Sequence, residues 1–301
     1  MDPKNSYVVD AVRGYLESEG KAVNAMAMEV AIERLKKSFS GQFSTDKAPR
    51  DTSQIKLYPS EAGKCERQIE YKALGIQGEP MLADVQFKLA MGDLVEMALM
   101  YIIECAPGVT VKDNNKIRDI EIGDRKWRGA TDGIHYDGAG RRRNLEVKSA
   151  SGIGFKMTIE RGIDDNFGYL TQTSVYLRQL LKDGAIDEPE TIFVYIDRDS
   201  MKLWETVVRY DPALATAADE KFLRVITAVN QKKILPRPYQ LEAGGALPLN
   251  CRYCQMKHTC WVEPRQVVQY EEGRPVYRIK PTVQVEMVMK GRKPAWFVVG
   301  Q

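Results

Sequence analysis

The stretch from residue 109 to residue 150 constrains the fold more than any other part of the chain. Apolar and polar side chains alternate along it, and the turn-forming sequences DNN, GD and DGAG interrupt it. Successive side chains of a strand point to opposite faces, so this pattern predicts antiparallel strands joined by tight turns. The last strand carries LEVKSA, in which Glu146 and Lys148 share one face.

Helical and further strand patterns surround this stretch. The predicted helices are one or two over residues 8–38, a short one from Cys65 that ends at Gly75, a long one over 82–105, and two more over 168–182 and about 212–230. Two strands joined by a DRDS turn are predicted over 190–210, and the tail from 266 to 301 alternates like a small β-hairpin or ribbon.

Composition restricts the classes of function. Of the 301 residues, 44% are apolar, which is enough for a sizeable core in one large domain or two ordinary ones. The net charge is only +3, so binding to a polyanion requires a local basic patch. The N-terminus does not resemble a secretory signal, and the apolar stretch 97–103 is too short to span a bilayer. We therefore expect a soluble, cytoplasmic protein, in which five cysteines favour metal binding or reactive thiols over disulfides.

Three carboxylates are candidates for one site. Asp132 precedes the DGAG turn and Glu146 follows it, so a hairpin brings the two carboxylates side by side. Their mutual repulsion is costly unless positive charge lies between them. Lys148 or a divalent cation such as Mg²⁺ supplies that charge. Glu96 lies in the most apolar part of the long helix, and Gly92 leaves the same face open to close approach. The alternative is that Glu96 lies on a solvated stripe of this helix.

The sequences GATDG and LEVKSA together resemble the core of the PD-(D/E)XK nuclease superfamily. Asp132 matches the Asp of that motif, Glu146 its (D/E), Val147 its X and Lys148 its Lys. The resemblance implies an α/β fold of the restriction-endonuclease type, in which helices flank a central mixed sheet, with a helical iron–sulfur-bound region. It also implies metal-dependent hydrolysis of phosphodiester bonds.

A second motif is similar to that of the RecB-like branch of the superfamily. Gln172 and Tyr176 in QTSVY match its QxxxY pattern, whose pair is associated with binding DNA and orienting groups at the active site. In isolation, the same spacing also suits a core tyrosine and a solvated glutamine. The RecB-like pattern usually has G-x-x-x-H where this sequence has GDLVE, so Glu96 stands in place of the histidine; a glutamate still ligates a hard cation.

Four cysteines form a further signature. Cys251, Cys254 and Cys260 have the spacing C-x2-C-x5-C, and Cys65 lies far upstream. This arrangement resembles the four-thiolate cluster of RecB-like exonucleases, including the AddB nuclease domain and a CRISPR-associated exonuclease family, and implies a structural [4Fe–4S] cluster. His258 leaves open the alternative of a Cys₃His zinc site.

The resemblance also assigns roles to the candidate residues. Mg²⁺ or Mn²⁺ would be bound by the carboxylates of Glu96, Asp132 and Glu146 and by the backbone carbonyl of Val147. Lys148 would steer the attacking water and stabilise the developing charge. The basic run GRRRN contains Arg141, Arg142 and Arg143, which either contact DNA phosphates or form a solvated surface.

These motifs predict a metal-dependent DNA exonuclease that acts on single-stranded ends. Its setting would be recombination, phage DNA processing or CRISPR spacer-precursor processing, with a recombination or CRISPR-adaptation protein as partner. The alternatives are a non-catalytic DNA-binding adaptor that keeps the nuclease fold, and a structure-specific endonuclease. The predicted domains are an N-terminal helical segment (1–60), a nuclease domain closed by the four cysteines (61–262) and a β-rich tail (263–301).

Overall fold

The computed structural model describes residues 6–19, 21–43, 55–76, 78–79, 83–242 and 247–261 and, in the C-terminal tail, four short strands. The helices are α1 (Val9–Glu17), α2 (Ala25–Phe43), α3 (Glu66–Ala73), α4 (Ala83–Cys105), α5 (Gly152–Arg161), α6 (Tyr169–Lys182), α7 (Pro212–Asn230), α8 (Leu249–Arg252) and α9 (Lys257–Trp261). The strands are β1 (Thr110–Lys112), β2 (Ile117–Ile122), β3 (Arg125–Ala130), β4 (Gly133–Tyr136), β5 (Arg142–Ala150), β6 (Glu190–Asp197), β7 (Leu203–Arg209), β8 (Gln269–Glu271), β9 (Arg274–Val276), β10 (Gln284–Lys290) and β11 (Lys293–Val299).

The central sheet contains five strands in the order β1-β4-β5-β6-β7. Strands β5 and β6 run parallel, whereas the other neighbouring pairs run antiparallel, so the sheet is mixed. A parallel pair needs a crossover connection, and α5 and α6 supply it between β5 and β6. The predicted α/β class, a central mixed sheet flanked by helices, is confirmed and is consistent with a restriction-endonuclease-like fold.

Side-chain alternation along β5 divides the core between the two faces of the sheet. Leu145 and Val147 are fully buried in the cluster that α1 and α4 contribute to. On β6, Phe193 and Tyr195 pack with Phe155 of α5 in a separate cluster. Glu146 and Lys148 pair in register with Phe193 and Tyr195, so the two charged groups lie on the face opposite the α1–α4 cluster.

The turn predictions are largely confirmed. Strands β4 and β5 form an antiparallel hairpin around the DGAG turn, while β2 and β3 form a separate two-stranded sheet. Helix α3 ends at Ala73, and Gly75 closes it two residues later, as predicted: the φ of Gly75 is +74°, and the N–H of Ile76 donates to the carbonyl of Tyr71 at 2.9 Å. That pattern is the Schellman motif, for which glycine is favoured because it has no Cβ. Helix α5 is an addition, since no element is predicted for residues 151–167.

The chain forms two compact units. The described parts of Met1–Ala48, Tyr58–Ala62 and Leu82–Asp219 form the first, which contains the central sheet. The described parts of Pro49–Leu57, Gly63–Met81 and Glu220–Gln301 form the second. The predicted boundaries at residues 60 and 262 stay a prediction. In the tail, β8 pairs with β9 and β10 with β11, both antiparallel. Within the described ranges, no helix has both the length and the apolar character needed to cross a membrane.

Candidate functional site

Lys148 and Glu146 form a buried ion pair on one face of β5. The ammonium Nζ donates to Glu146 Oε1 at 2.5 Å, and the side chains are only 18% and 11% exposed. Burial raises the pKa of the Glu146 carboxyl, and the nearby charge of Asp132 raises it further, against the opposing effect of the ammonium. Burial alone would lower the pKa of Lys148, but the surrounding carboxylates outweigh it and raise that pKa, so the ammonium stays charged.

Asp132 lies immediately before β4, one residue short of the strand in which it is predicted. Its Oδ2 accepts a hydrogen bond from the backbone N–H of Val147 at 2.9 Å, which ties it to β5 beside Glu146. On its other side, Arg34 of α2 lies with Nη2 3.5 Å from Asp132 Oδ1, and it donates to Asn114 at 3.1 Å. The carboxylate is therefore oriented by a backbone amide and a guanidinium.

Glu96 joins the same group from α4. Its Oε1 accepts hydrogen bonds from the backbone N–H of Ser149 at 2.8 Å and from the Ser149 hydroxyl at 3.0 Å. Burial raises the pKa of Glu96, while Lys148 and the Ser149 amide oppose that rise. Gly92 permits the approach of α4, because a β-carbon there would lie 3.1 Å from Ser149 Oγ. Glu96 thus does not lie on a solvated stripe.

Helix α6 carries the predicted Gln172 and Tyr176. Tyr176 is buried, and its hydroxyl is hydrogen-bonded to the backbone of Ala130. Burial raises its pKa, and the charge of Glu146 adds to that rise. A β-carbon on Gly129 would lie only 2.5 Å from the Tyr176 hydroxyl, so glycine is needed there. Gln172 is half-buried one turn earlier, and its predicted contact with DNA stays a prediction.

Tyr169 is a site residue that the sequence analysis missed. Its ring centroid lies 5.6 Å from Lys148 Nζ, a distance at which a cation is attracted to an aromatic ring. Burial raises its pKa, and Lys148 partly offsets that effect. The signal was present in the sequence, because Tyr169, Gln172 and Tyr176 have the spacing i, i+3, i+7 of one helix face.

The three arginines of GRRRN are paired with acidic side chains of the same region. Arg141 Nε donates to Asp137 at 2.9 Å, and Arg142 Nη2 to Asp187 at 2.6 Å. Arg143 is only 4% exposed, lies 3.0 Å from Asp137, and contacts Glu190 and the ring of Tyr7 as well. Their predicted contact with DNA phosphates stays a prediction, and any phosphate would compete with these carboxylates.

The carboxylate oxygens of Glu96, Asp132 and Glu146 are ligands of the kind that a hard divalent cation prefers, but they are not arranged to coordinate one ion together. Within the described residues, no three Asp, Glu, His or Cys side chains stand close enough together to hold a single ion. The reason is visible at the site, where Lys148 engages Glu146 and Arg34 engages Asp132. Binding of Mg²⁺ or Mn²⁺ would require the carboxylates to turn from these cations, and the predicted Val147 carbonyl ligand stays a prediction.

The second unit brings the four predicted cysteines together. Cys65, Cys251, Cys254 and Cys260 are free thiols that line one cavity, together with Tyr71 and Trp261. Burial raises the pKa of Cys251 to about 12 and that of Cys260 to about 11, and neighbouring thiols contribute to both shifts. In the described part of the chain, no three of these thiols stand close enough together to hold a single ion, so the four-thiolate cluster stays a prediction.

His258, the histidine of the zinc alternative, does not line this cavity. Its Nε2 lies 2.7 Å from Glu79 Oε1, so the imidazole pairs with a carboxylate rather than with the thiols. This arrangement favours a four-thiol set over a Cys₃His set.

Comparison with known proteins gives distant structural likenesses. No protein-family model matches the chain, and no curated protein matches it in sequence. The chain is similar to the crystal structure of SSO0001, with 18% identity, a TM-score of 0.44, and coverage of 76% of this chain and 94% of that one.

An alkaline exonuclease, LHK-Exo from Laribacter hongkongensis, is similar at 17% identity and a TM-score of 0.40, over 65% of this chain and 93% of that one. The structure of LHK-Exo in complex with dAMP matches at 19% identity and a TM-score of 0.39, over 68% and 95% of the two chains. Likenesses at this level establish no family for the chain.

Proposed function

We propose that this chain is a metal-dependent deoxyribonuclease that hydrolyses phosphodiester bonds as an exonuclease on single-stranded DNA ends. One observation carries the proposal: the charged ammonium of Lys148 lies among three carboxylates, Glu96, Asp132 and Glu146, in a largely buried site at β5. A protein that only needed a stable sheet would gain little from burying this set, because the desolvation of such charges is costly.

The residues of the site match the needs of phosphodiester hydrolysis. These carboxylates would hold a divalent cation, which would supply an activated water and neutralise charge on the phosphate. Lys148 remains protonated, so it donates hydrogen bonds to the negative charge that develops on the phosphate oxygens. The amide of Val147 and the buried Tyr176 keep Asp132 and the adjoining backbone in place while the strand binds.

The four cysteines are proposed to hold a structural [4Fe–4S] cluster in the second unit. Four free thiols lining one cavity support this part of the proposal, and the lining rings of Tyr71 and Trp261 would shield the cluster from solvent. The proposed setting is recombination, phage DNA processing or CRISPR spacer-precursor processing, with a protein of one of these systems as partner.

The test is a nuclease assay on protein purified without oxygen. End-labelled linear and circular single-stranded DNA are incubated with Mg²⁺ or Mn²⁺ and wild type, Lys148→Ala or Lys126→Ala. Lys126 is a matched control, because it is exposed and lies 3.8 Å from its partner Glu121 on the separate β2–β3 sheet. Visible absorption and iron and sulfide content report on the cluster.

Degradation of linear but not circular DNA, lost in Lys148→Ala and kept in Lys126→Ala, is the expected result. Cutting of circular DNA would mean that the protein is an endonuclease rather than an exonuclease. A folded wild type that binds DNA and cuts neither substrate would overturn the catalytic proposal in favour of a DNA-binding adaptor.

A further inference from the structure

An aromatic surface leads from the candidate site to solvent. The ring of Tyr169 faces the ammonium of Lys148, with its centroid 5.6 Å from Nζ. The ring of Phe167 lies against Tyr169, with a centroid separation of 6.2 Å and an interplanar angle of 39°. Phe167 is 51% exposed, so the outer ring of this pair is accessible to a ligand bound at the site.

The loop that carries Phe167 is held in place by hydrogen bonds. The Asp165 carboxylate accepts from the backbone N–H groups of Leu170 at 2.8 Å and Thr171 at 3.1 Å, and from the Thr171 hydroxyl. The N–H of Gly168 donates to the Asp165 carbonyl at 2.9 Å, and Gly168 has a φ of +79° that favours glycine. The exposed ring is therefore preorganised, which lowers the entropy cost of binding.

The acidic groups of the loop are engaged by hydrogen-bond donors of the loop itself. Asp164 accepts from the backbone N–H of Asn166 at 3.0 Å and from its side-chain amide at 2.7 Å, and Asp165 caps the start of α6. These bonds offset part of the negative charge beside the aromatic surface, and the ammonium of Lys148 lies 5.6 Å from the centroid of the inner ring.

The geometry points to Phe167 and Tyr169 as a stacking platform for an unpaired base of the strand whose phosphate lies at Lys148. This inference rests on the proposed function and names its substrate: a strand with unpaired bases beside the scissile phosphate. Every base has a π-face that stacks on aromatic side chains without regard to sequence, whereas a base inside a duplex has both faces covered by its neighbours. Selection of unpaired ends therefore requires no hydrogen bond to a base edge.

The test measures binding without hydrolysis. Fluorescence anisotropy in EDTA compares a single-stranded oligonucleotide with one in which abasic residues replace the terminal bases at both ends. The variants are Phe167→Ala, Phe167→Trp and Phe87→Ala. Phe87 is a matched control because it is 60% exposed and lies on α4, about 13 Å along the helix from Glu96.

We expect wild type to bind the natural strand about tenfold more tightly than the abasic strand, at the lower end of what base–aromatic stacking provides. Phe167→Ala should bind both strands equally, whereas Phe167→Trp and Phe87→Ala should keep the preference. If Phe167→Ala does not fold, Phe167→Leu takes its place in the assay, because leucine keeps the apolar volume and removes the ring.

The outcomes separate this inference from the proposed function. If Phe167→Ala keeps the preference for natural ends, or if wild type has no such preference, the stacking proposal is wrong. Cation-dependent cutting by wild type would still support the proposed nuclease function in that case. If wild type neither binds nor cuts DNA, the proposed function and the platform both fail.

Discussion

A single carboxylate oxygen of Glu96 accepts two hydrogen bonds from Ser149, one from its backbone N–H at 2.8 Å and one from its hydroxyl at 3.0 Å. This contact joins the long helix α4 to the end of β5, directly after Lys148. The same carboxylate therefore has a structural role in joining α4 to β5, beside its candidate role as a metal ligand.

Two substitutions separate these roles of Glu96. Glu96→Gln keeps an acceptor for Ser149 but removes the charge, so we expect near-normal folding and at least tenfold weaker Mn²⁺ binding. Glu96→Ala leaves the Ser149 amide without its acceptor and should lower the free energy of unfolding by about 1–3 kcal/mol. Denaturant unfolding and calorimetric Mn²⁺ titration measure the two effects. Unchanged Mn²⁺ affinity in Glu96→Gln would exclude this residue as a ligand.

Arg34 should compete with a divalent cation for Asp132. Its guanidinium lies 3.5 Å from Asp132 Oδ1, so its positive charge disfavours a second cation at the same carboxylate. Arg34→Gln is expected to bind Mn²⁺ about three- to tenfold more tightly at low salt, with a smaller gain at high salt. Arg34→Lys, which keeps the charge, is the control. A gain of equal size in both variants would show that charge at this position is not the cause.

Because Gly129 lies close to Tyr176, we expect substitutions at these two positions to have non-additive effects on stability. A β-carbon on Gly129 would lie 2.5 Å from the Tyr176 hydroxyl and 3.0 Å from Pro59 Cγ, so Gly129→Ala should cost about 1–3 kcal/mol of stability. Tyr176→Phe removes the closest atom, and the double variant should recover at least about 0.5 kcal/mol of that loss in thermal or denaturant unfolding. Purely additive effects would mean that the strain lies at Pro59 instead.

Glu70 should make stability depend on pH. It is fully buried in the second unit and accepts the backbone N–H of Leu235 at 3.0 and 3.2 Å. Burial raises its pKa to about 7, against the opposing effect of the Leu235 amide. The folded chain then holds the proton more tightly than the unfolded chain, so this group's contribution to stability is present below pH 4.5 and is lost as pH rises towards 7.

Glu70→Gln removes this pH dependence. The variant should be more stable than wild type at about pH 8, by up to about 3 kcal/mol, and close to wild type at about pH 4. Unfolding curves at the two values measure the difference. Equal destabilisation at both would show that folding does not raise the pKa of Glu70.

The sequence by itself determined the local geometry of the site. Alternation with a period of two puts Glu146 and Lys148 on one face of β5, and the DGAG turn brings Asp132 beside that strand. Helical spacing likewise puts Gln172 and Tyr176 on one face of α6. These relationships depend on backbone periodicity, which neighbouring residues alone specify.

Only the tertiary structure decided which distant groups meet. Nothing near Arg34 in the sequence indicates that α2 brings its guanidinium to Asp132, nearly 100 residues away. The same holds for Arg143, which a basic run suggested as a phosphate contact and which the fold buries against Asp137 and Glu190. Such contacts depend on how all the apolar faces of the chain pack and on which charges must be paired once water is excluded, so no local pattern contains them.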